Sequence, residues 1–147
     1  MVRPASILLV EDNPMDVELI IDAFKEARLG NKIQTASNGK EALEFLFGEG
    51  KYADRKQYPI PDIVLLDLKM PGIDGHEVLC RIKGTEKLKR LPVIILTSSR
   101  DEGDRAMSYD NGANSYLVKP VSFDAFLKVV KTVSDYWLTL NVEPPLD

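Results

Sequence analysis

Four short runs of Ile, Leu and Val each end abruptly on a polar group. Ile7-Leu8-Leu9-Val10 ends in Glu11-Asp12, and Ile63-Val64-Leu65-Leu66 ends in Asp67. Val93-Ile94-Ile95-Leu96 ends in Thr97, and Tyr116-Leu117-Val118 ends in Lys119-Pro120. A carboxylate seldom closes a purely apolar strand without a reason, because burying it unpaired costs several kcal/mol or more. Helical patterns separate the runs. Over 14–29, Val17, Ile20, Ile21, Phe24 and Ala27 fall on one face. Pro14 suits a first-turn position, Asn13 can cap it, and Gly30 can end the helix. Lys32–Ala36 reads as a short strand, followed by a helix bearing Ala42, Leu43, Phe45 and Leu46. Then come a strand over 62–67, a helix Gly75–Lys83, a strand Val93–Thr97, a helix over 100–111, a strand Ser115–Val118 and a helix over 123–140.

Strict alternation of five strands and five helices argues for a parallel sheet covered on both faces. The expected fold is α/β: a flavodoxin-like (βα)5 three-layer sandwich with strand order 2-1-3-4-5. In a parallel sheet all the strand ends lie on one edge, so the acids, hydroxyl and amine meet there. In that order the first and third strand ends flank the crevice where ligands bind.

The chain has 147 residues, of which 44% are hydrophobic and 29% charged, as in one ordinary globular domain. Residues 1–147 are read as that single domain, with a core over about 6–140 and a loose tail over 141–147 containing Pro144-Pro145. A net charge of −4 offers no basic surface for nucleic acid. No apolar run approaches the ~18–20 residues of a membrane span, and the N-terminus lacks the apolar core of a signal peptide. Cys80 is the single cysteine, so no intrachain disulfide forms, and a cytoplasmic protein is expected. The stretch 48–61, with Gly48, Gly50, Pro59 and Pro61, reads as a polar surface loop.

Glu11, Asp12 and Asp67 cannot share a small crevice unaided. Two like charges ~4 Å apart repel by about 4 kcal/mol at an effective dielectric of 20. A bound hard cation relieves this, and Mg²⁺ is the usual small octahedral choice for oxygen ligands. Together with Lys119 it makes a pocket ready for a phosphoryl group. Asp67 can attack phosphorus as a carboxylate nucleophile, and Thr97 can donate to a phosphoryl oxygen. Singly, each residue has an ordinary role: Glu11-Asp12 as the start of a loop, Thr97 as a strand-end hydroxyl, Lys119 as a solvated amine. The set points to a site. His76, without a Cys or His partner at metal spacing, is read as solvated or capping. Cys80, beside Val78, Leu79 and Ile82, is read as a small packing residue. Gly39, Gly72 and Gly75 are read as turn residues.

Glu11-Asp12, Asp67-Leu68-Lys69-Met70-Pro71-Gly72-Ile73-Asp74-Gly75, Leu96-Thr97-Ser98 and Lys119-Pro120 together resemble the receiver domain of bacterial response regulators. The resemblance runs over about 7–140. It implies that a sensor histidine kinase donates a phosphoryl group to Asp67. It further implies that Asp12, Asp67 and the backbone carbonyl of Lys69 bind Mg²⁺, with Glu11 acting through water. Thr97 and Lys119 would contact the phosphoryl group, Tyr116 matches the family's switch aromatic, and the Lys119-Pro120 bond is cis in the family. The 48–61 insertion, Trp137 and the Pro-rich tail are similar to single-domain regulators paired with cyanobacterial phytochromes. Lys69 sits where its side chain can alter how fast water reaches the phosphoryl group.

Two other functions use similar residues. A haloacid-dehalogenase-type phosphatase also uses a strand-end Asp and Mg²⁺, but it resembles Asp-x-Asp, and here the second residue after Asp67 is Lys69. An unphosphorylated pseudo-receiver scaffold conflicts with the intact set of site residues. The output is expected to be protein contact or onward phosphotransfer. A homodimer through the fourth and fifth helices is expected as well. Apolar residues over 123–140 span an arc of roughly 200°, wider than the ~100° one sheet needs. The surplus falls near Val129, Val133, Tyr136 and Leu140.

Overall fold

A computed structural model describes residues 6–27, 30, 32–119 and 122–133. In chain order the elements are β1 (Ser6–Val10), α1 (Pro14–Glu26), β2 (Lys32–Ala36), α2 (Gly39–Phe47), a 3₁₀ turn (Gly50–Tyr52), β3 (Ile63–Leu66), α3 (Gly75–Lys83), β4 (Val93–Thr97), α4 (Glu102–Asp110), β5 (Ser115–Val118) and α5 (Phe123–Val133). The five strands pair in parallel in the order β2-β1-β3-β4-β5, as the alternation implied.

The period-2 geometry of a strand sends successive side chains to opposite faces, and the apolar runs fill both. Leu8, Val10, Val64, Leu66, Val93 and Ile95 pack under α2 and α3. Ile7, Leu9, Ile63, Leu65, Ile94 and Leu96 pack under α1 and α5, with Phe24, Phe126 and Val130. Val129 was expected on the exposed surplus of the last helix; it is half-buried against this second cluster. The side chain of Val133, and Tyr136, Trp137, Leu138 and Leu140 with the tail 141–147, lie outside the described residues, as does the Lys119-Pro120 bond.

Helix starts follow their caps. The Asn13 carboxamide accepts from the Met15 and Asp16 amides, Asn38 from Glu41, and Asp74 from Glu77. Asp101 accepts from the Gly103 and Asp104 amides, which starts α4 at Glu102 rather than at residue 100. α1 ends at Glu26, short of the expected 29, with Ala27 as its C-cap. α3 is read correctly at both ends, but Cys80 is exposed rather than packed. At ~100° per residue it lies opposite the arc of Val78, Leu79 and Ile82.

The 48–61 stretch is more than a polar loop. Tyr52 is buried, and it meets Phe45 edge-on at 4.9 Å and Tyr58 at 5.0 Å. The Arg55 guanidinium donates to the carbonyls of Phe45 (2.7 Å), Leu46 (2.6 Å) and Tyr58 (2.9 Å). Two of these carbonyls belong to the last turn of α2, so Arg55 caps that helix from outside, sharing the Phe45 carbonyl with the Gly48 amide. Arg55→Ala is expected to lower stability by about 1.5–3 kcal/mol, the range for hydrogen bonds to a charged group. A urea midpoint equal to that of the wild type would show that solvent satisfies these carbonyls equally well.

Candidate functional site

The site is built at the C-terminal edge of the sheet. Glu11 follows β1, Asp67 follows β3, Thr97 ends β4 and Lys119 follows β5. The side chains of Glu11, Asp67 and Lys119 meet there, and the Thr97 carbonyl accepts from the Lys119 amide (2.7 Å). Glu11, Asp67 and Thr97 are buried, whereas Asp12 is exposed. Carboxylate oxygens of Glu11, Asp12 and Asp67 lie within 4.8 Å of one another.

The Lys119 ammonium is buried among carboxylates. It contacts Glu11 Oε1 directly, Asp16 Oδ2 at 2.9 Å and Asp67 Oδ2 at 3.2 Å. Burial alone would lower its pKa, but the bonds to Glu11 and Asp16 and the Asp67 charge hold it above its ordinary value. Lys119 is therefore a charged, fixed ammonium and not a solvated amine. Burial pushes the Glu11 carboxyl up to about 7; the Lys119 bond works against the rise and the Asp67 charge adds to it. Asp16 was missed by sequence reasoning. Its only signal is its place in the first turn of α1, three residues after the Asn13 cap.

One ammonium thus faces Glu11, Asp16 and Asp67, with Asp12 beside them. The negative charge is under-compensated, and the donors are all hard oxygens. These residues fit a divalent cation.

The loop after β3 is shaped by close approach. The Lys69 amide donates to Asp67 Oδ1 (3.3 Å), and the Gly75 amide donates to the Leu68 carbonyl (3.0 Å). A Cβ at Gly75 would strike the backbone of Asp67 and Leu68, so glycine is required there. Gly75 is therefore a first-turn helical residue packed on the site, not a turn residue; Gly39 likewise begins α2, while Gly72 is a turn glycine at φ +77°.

Across the mouth of the site lies a polar cluster that sequence reasoning did not find. Asp104 of α4 receives the Ser99 hydroxyl (2.6 Å), the Lys69 ammonium (3.0 Å) and His76 Nε2 (3.2 Å). His76 is thus no solvated residue: its side chain is mostly buried, and among the described residues its Nδ1 has no hydrogen-bond partner. Ser99 also joins both expected switch residues. Its amide donates to Thr97 Oγ1 (3.3 Å), and its carbonyl accepts from the half-buried Tyr116 hydroxyl (3.0 Å). An open groove of about 620 Å³ leads from Glu11 and Asp12 along α1, past Val17 and Ile21, toward Thr35 and Glu41.

With this geometry in place, likeness to known proteins becomes informative. The model of the response regulator receiver domain matches residues 7–131. The chain belongs to that family. Such proteins are phosphoacceptor response regulators of two-component systems, and this chain is one of them. It is 40% identical over 141 residues to the probable methanogenesis regulatory protein FilR2 of Methanothrix harundinacea, covering 96% of this chain and 88% of that protein. It is 37% identical over 135 residues to the response regulator Rcp1 of Synechocystis, covering 92% and 90%. The Mn²⁺-bound form of Rcp1 superimposes with a TM-score of 0.86 at 36% identity, over 97% of this chain and 100% of that one. The phosphorylated cyanobacterial phytochrome response regulator RcpA gives 0.90 at 37%, over 97% and 100%. Single-domain phytochrome response regulators are therefore among the chain's near relatives.

The Ser99 and Lys69 bonds hold the Asp104 carboxyl down at about 2, against an ordinary 3.8. The folded protein thus releases this proton more readily than the unfolded chain. The stabilisation it brings is complete above about pH 4 and is lost as pH falls toward 2. Asp104→Asn should therefore unfold at lower urea than the wild type at neutral pH, by a margin that stays constant down to about pH 5 and shrinks below about pH 4. A margin that does not change with pH would exclude a charged Asp104 as its origin.

Proposed function

We propose that Asp67 is the residue phosphorylated by a sensor histidine kinase. An Asp67 oxygen forms the new bond to phosphorus while the bond from phosphorus to the donor nitrogen breaks, and the electron pair leaves with the donor. The observation that carries this reading is the setting of Asp67: buried, its two oxygens held by the Lys119 ammonium and the Lys69 amide, with Glu11 and Asp12 beside it. That setting leaves one carboxylate fixed and aimed, in a charge environment short of cations.

Asp12, Asp67 and the Lys69 backbone carbonyl would hold Mg²⁺, with Glu11 acting through water. When bound, the ion neutralises charge that gathers on the phosphoryl oxygens. The Mn²⁺-bound form of Rcp1 supports a divalent ion in this setting. Lys119 contacts one phosphoryl oxygen and the Thr97 hydroxyl donates to another. Moving Thr97 that way vacates space into which Tyr116 turns, so phosphorylation selects one of two packings. The protein is a switch that takes part in its own phosphorylation and dephosphorylation rather than an enzyme acting on other substrates.

The likeness to RcpA and Rcp1 supports a phytochrome as the kinase, and the groove along α1 gives its phosphodonor an approach to Glu11 and Asp12. The exposed free thiol of Cys80, and the want of any helix among the described residues long and apolar enough to cross a membrane, suit a cytoplasmic setting. Self-association through α4, β5 and α5 is supported by Met107 and Tyr109, both 49% exposed on α4.

Exposure to acetyl phosphate and Mg²⁺ followed by intact mass tests the acceptor. Wild type should gain one phosphoryl group and Asp67→Asn none; equal uptake by the two would remove Asp67 from its role. In a Mg²⁺ titration Asp12→Ala should lose binding, and Glu11→Ala should weaken it less because an outer ligand acts through water. Equal and negligible effects of both would refute the site. Thr97→Ala should leave Asp67 modifiable while uncoupling the modification from partner binding, and a normal response would refute the coupling. Sedimentation of the phosphorylated protein should show a dimer that Val133→Asp and Tyr136→Asp dissociate; a monomer in the wild type would rule out this association.

A further inference from the structure

A cavity of about 410 Å³ lies at the edge of the sheet opposite Asp67. Its apolar walls are Leu46 and Phe47 from the end of α2, Pro59 and Ile60 from the approach to β3, and Leu88 from the approach to β4. Both strands run away from it toward Asp67 and Thr97. The charged groups that line it carry one sign. Arg55 and Lys87 are cations, and no Asp or Glu takes part, in a chain whose net charge is −4. Among the described residues neither cation has an acidic partner.

Arg55 is half-buried, and burial lowers its pKa with no carboxylate to raise it. Arginine stays charged even so. Three of its five N–H donors are spent on backbone: Nη1 donates to the carbonyls of Phe45 and Tyr58, and Nη2 to that of Leu46. The Nε–H and one Nη2–H have no partner among the described residues. Nε and Nη2 form the edge of a guanidinium that can take both oxygens of a carboxylate. A Cβ at Gly48, itself at φ +68°, would lie 2.7 Å from Nε and 3.1 Å from Nη2, so the glycine leaves that edge clear.

We propose that this cavity binds a small carboxylic acid with an apolar body, its carboxylate on the Nε and Nη2 edge of Arg55 with the Lys87 ammonium beside it. The body packs on Phe47, Ile60 and Leu88. The sign of the lining selects an acid, and idle donors on a half-desolvated cation favour an anion over water. The apolar walls select against a small, fully hydrated anion. The volume falls within the ~300–1,000 Å³ of small-molecule sites, and the walls come from one helix end and two loops rather than from a strip along one element. That shape suits a compact ligand better than a peptide. The cavity shares no lining residue with the candidate phosphorylation site, so the inference is independent of the role of Asp67.

The test is an amide chemical-shift titration of the full-length, unphosphorylated protein without divalent metal. The probes are octanoate, octan-1-ol and acetate. Octanoate should give saturable shifts at Phe47, Ile60 and Leu88. Octan-1-ol, which lacks the carboxylate, should bind at least about ten-fold more weakly. Acetate, which lacks the body, should also bind at least about ten-fold more weakly. Lys87 is exposed and holds no other residue, so Lys87→Glu leaves the fold alone. It should weaken octanoate by about ten-fold and leave octan-1-ol unchanged. Arg55→Lys keeps the charge but not the fork, and it too should weaken octanoate; its urea midpoint separates lost binding from lost folding. If that variant does not fold, Lys87→Glu decides alone. No saturable shift with octanoate, or shifts confined to the groove along α1, overturns the proposal. So does octan-1-ol or acetate binding as tightly as octanoate, or octanoate binding that Lys87→Glu does not weaken.

Discussion

The site depends on one buried ammonium. Lys119 stands at the end of β5 and holds Glu11 from the end of β1, Asp67 from the end of β3 and Asp16 from α1. A parallel sheet in this order brings these groups together whether or not their charges agree. Without a cation the carboxylates would repel at short range in a region of low dielectric. The arrangement is a poor means of gaining stability, since desolvating a cluster of ions costs about as much as their attraction returns. It is a good means of holding a carboxylate fixed in direction and out of bulk water. Those are the conditions a phosphoacceptor needs, so the cluster is explained by its chemistry.

The fold was readable because β1, β3 and β4 are almost wholly apolar and buried on both faces, the mark of a parallel sheet covered by helices. Strand-end residues were readable for the same reason: a polar residue that closes such a strand has only one edge to occupy. What escaped was set by packing between segments far apart in the chain. Asp104 meets His76 across 28 positions, and neither has a local pattern that marks it. The 48–61 stretch was read by its Gly, Pro and charge content. Tyr52, Tyr58 and Arg55 are spaced irregularly, and their target is the end of α2. Cys80 was misread because neighbours in sequence were taken for neighbours in space; on a helix the two differ by about 100° per residue.

Attachment strength divides the helices into two kinds. α1 and α5 share the second core cluster and cover one face, and α2 and α3 share the first. Moving any of these would open apolar surface at about 25 cal/mol per Å². α4 buries only Ser108 and is held by charged hydrogen bonds, each individually modest in net worth. Such bonds can be exchanged for others of similar strength, or for water, at little net cost. The element that changes position most readily is therefore the one beside the site whose contacts are polar, and its exposed Met107 and Tyr109 give a partner something to grip.

Charge accounts for the direction of the coupling. At rest the cluster holds Glu11, Asp12, Asp16 and Asp67 against Lys119. On the proposed reading, phosphorylation replaces a singly charged carboxylate with an acyl phosphate carrying up to two negative charges, and it adds acceptor oxygens. The demand for positive charge and for donors rises at one point in the molecule. Linkage then requires that anything supplying them bind the phosphorylated form more tightly, and that it favour phosphorylation to the same degree. A divalent ion at Asp12 meets part of that demand, and Lys119 is already in place. The remaining donor within the strand ends is the Thr97 hydroxyl, which at rest accepts from the Ser99 amide. Accepting from Ser99 leaves the hydroxyl proton free, so this one group can go on holding the β4 loop while it meets the need for a donor at Asp67.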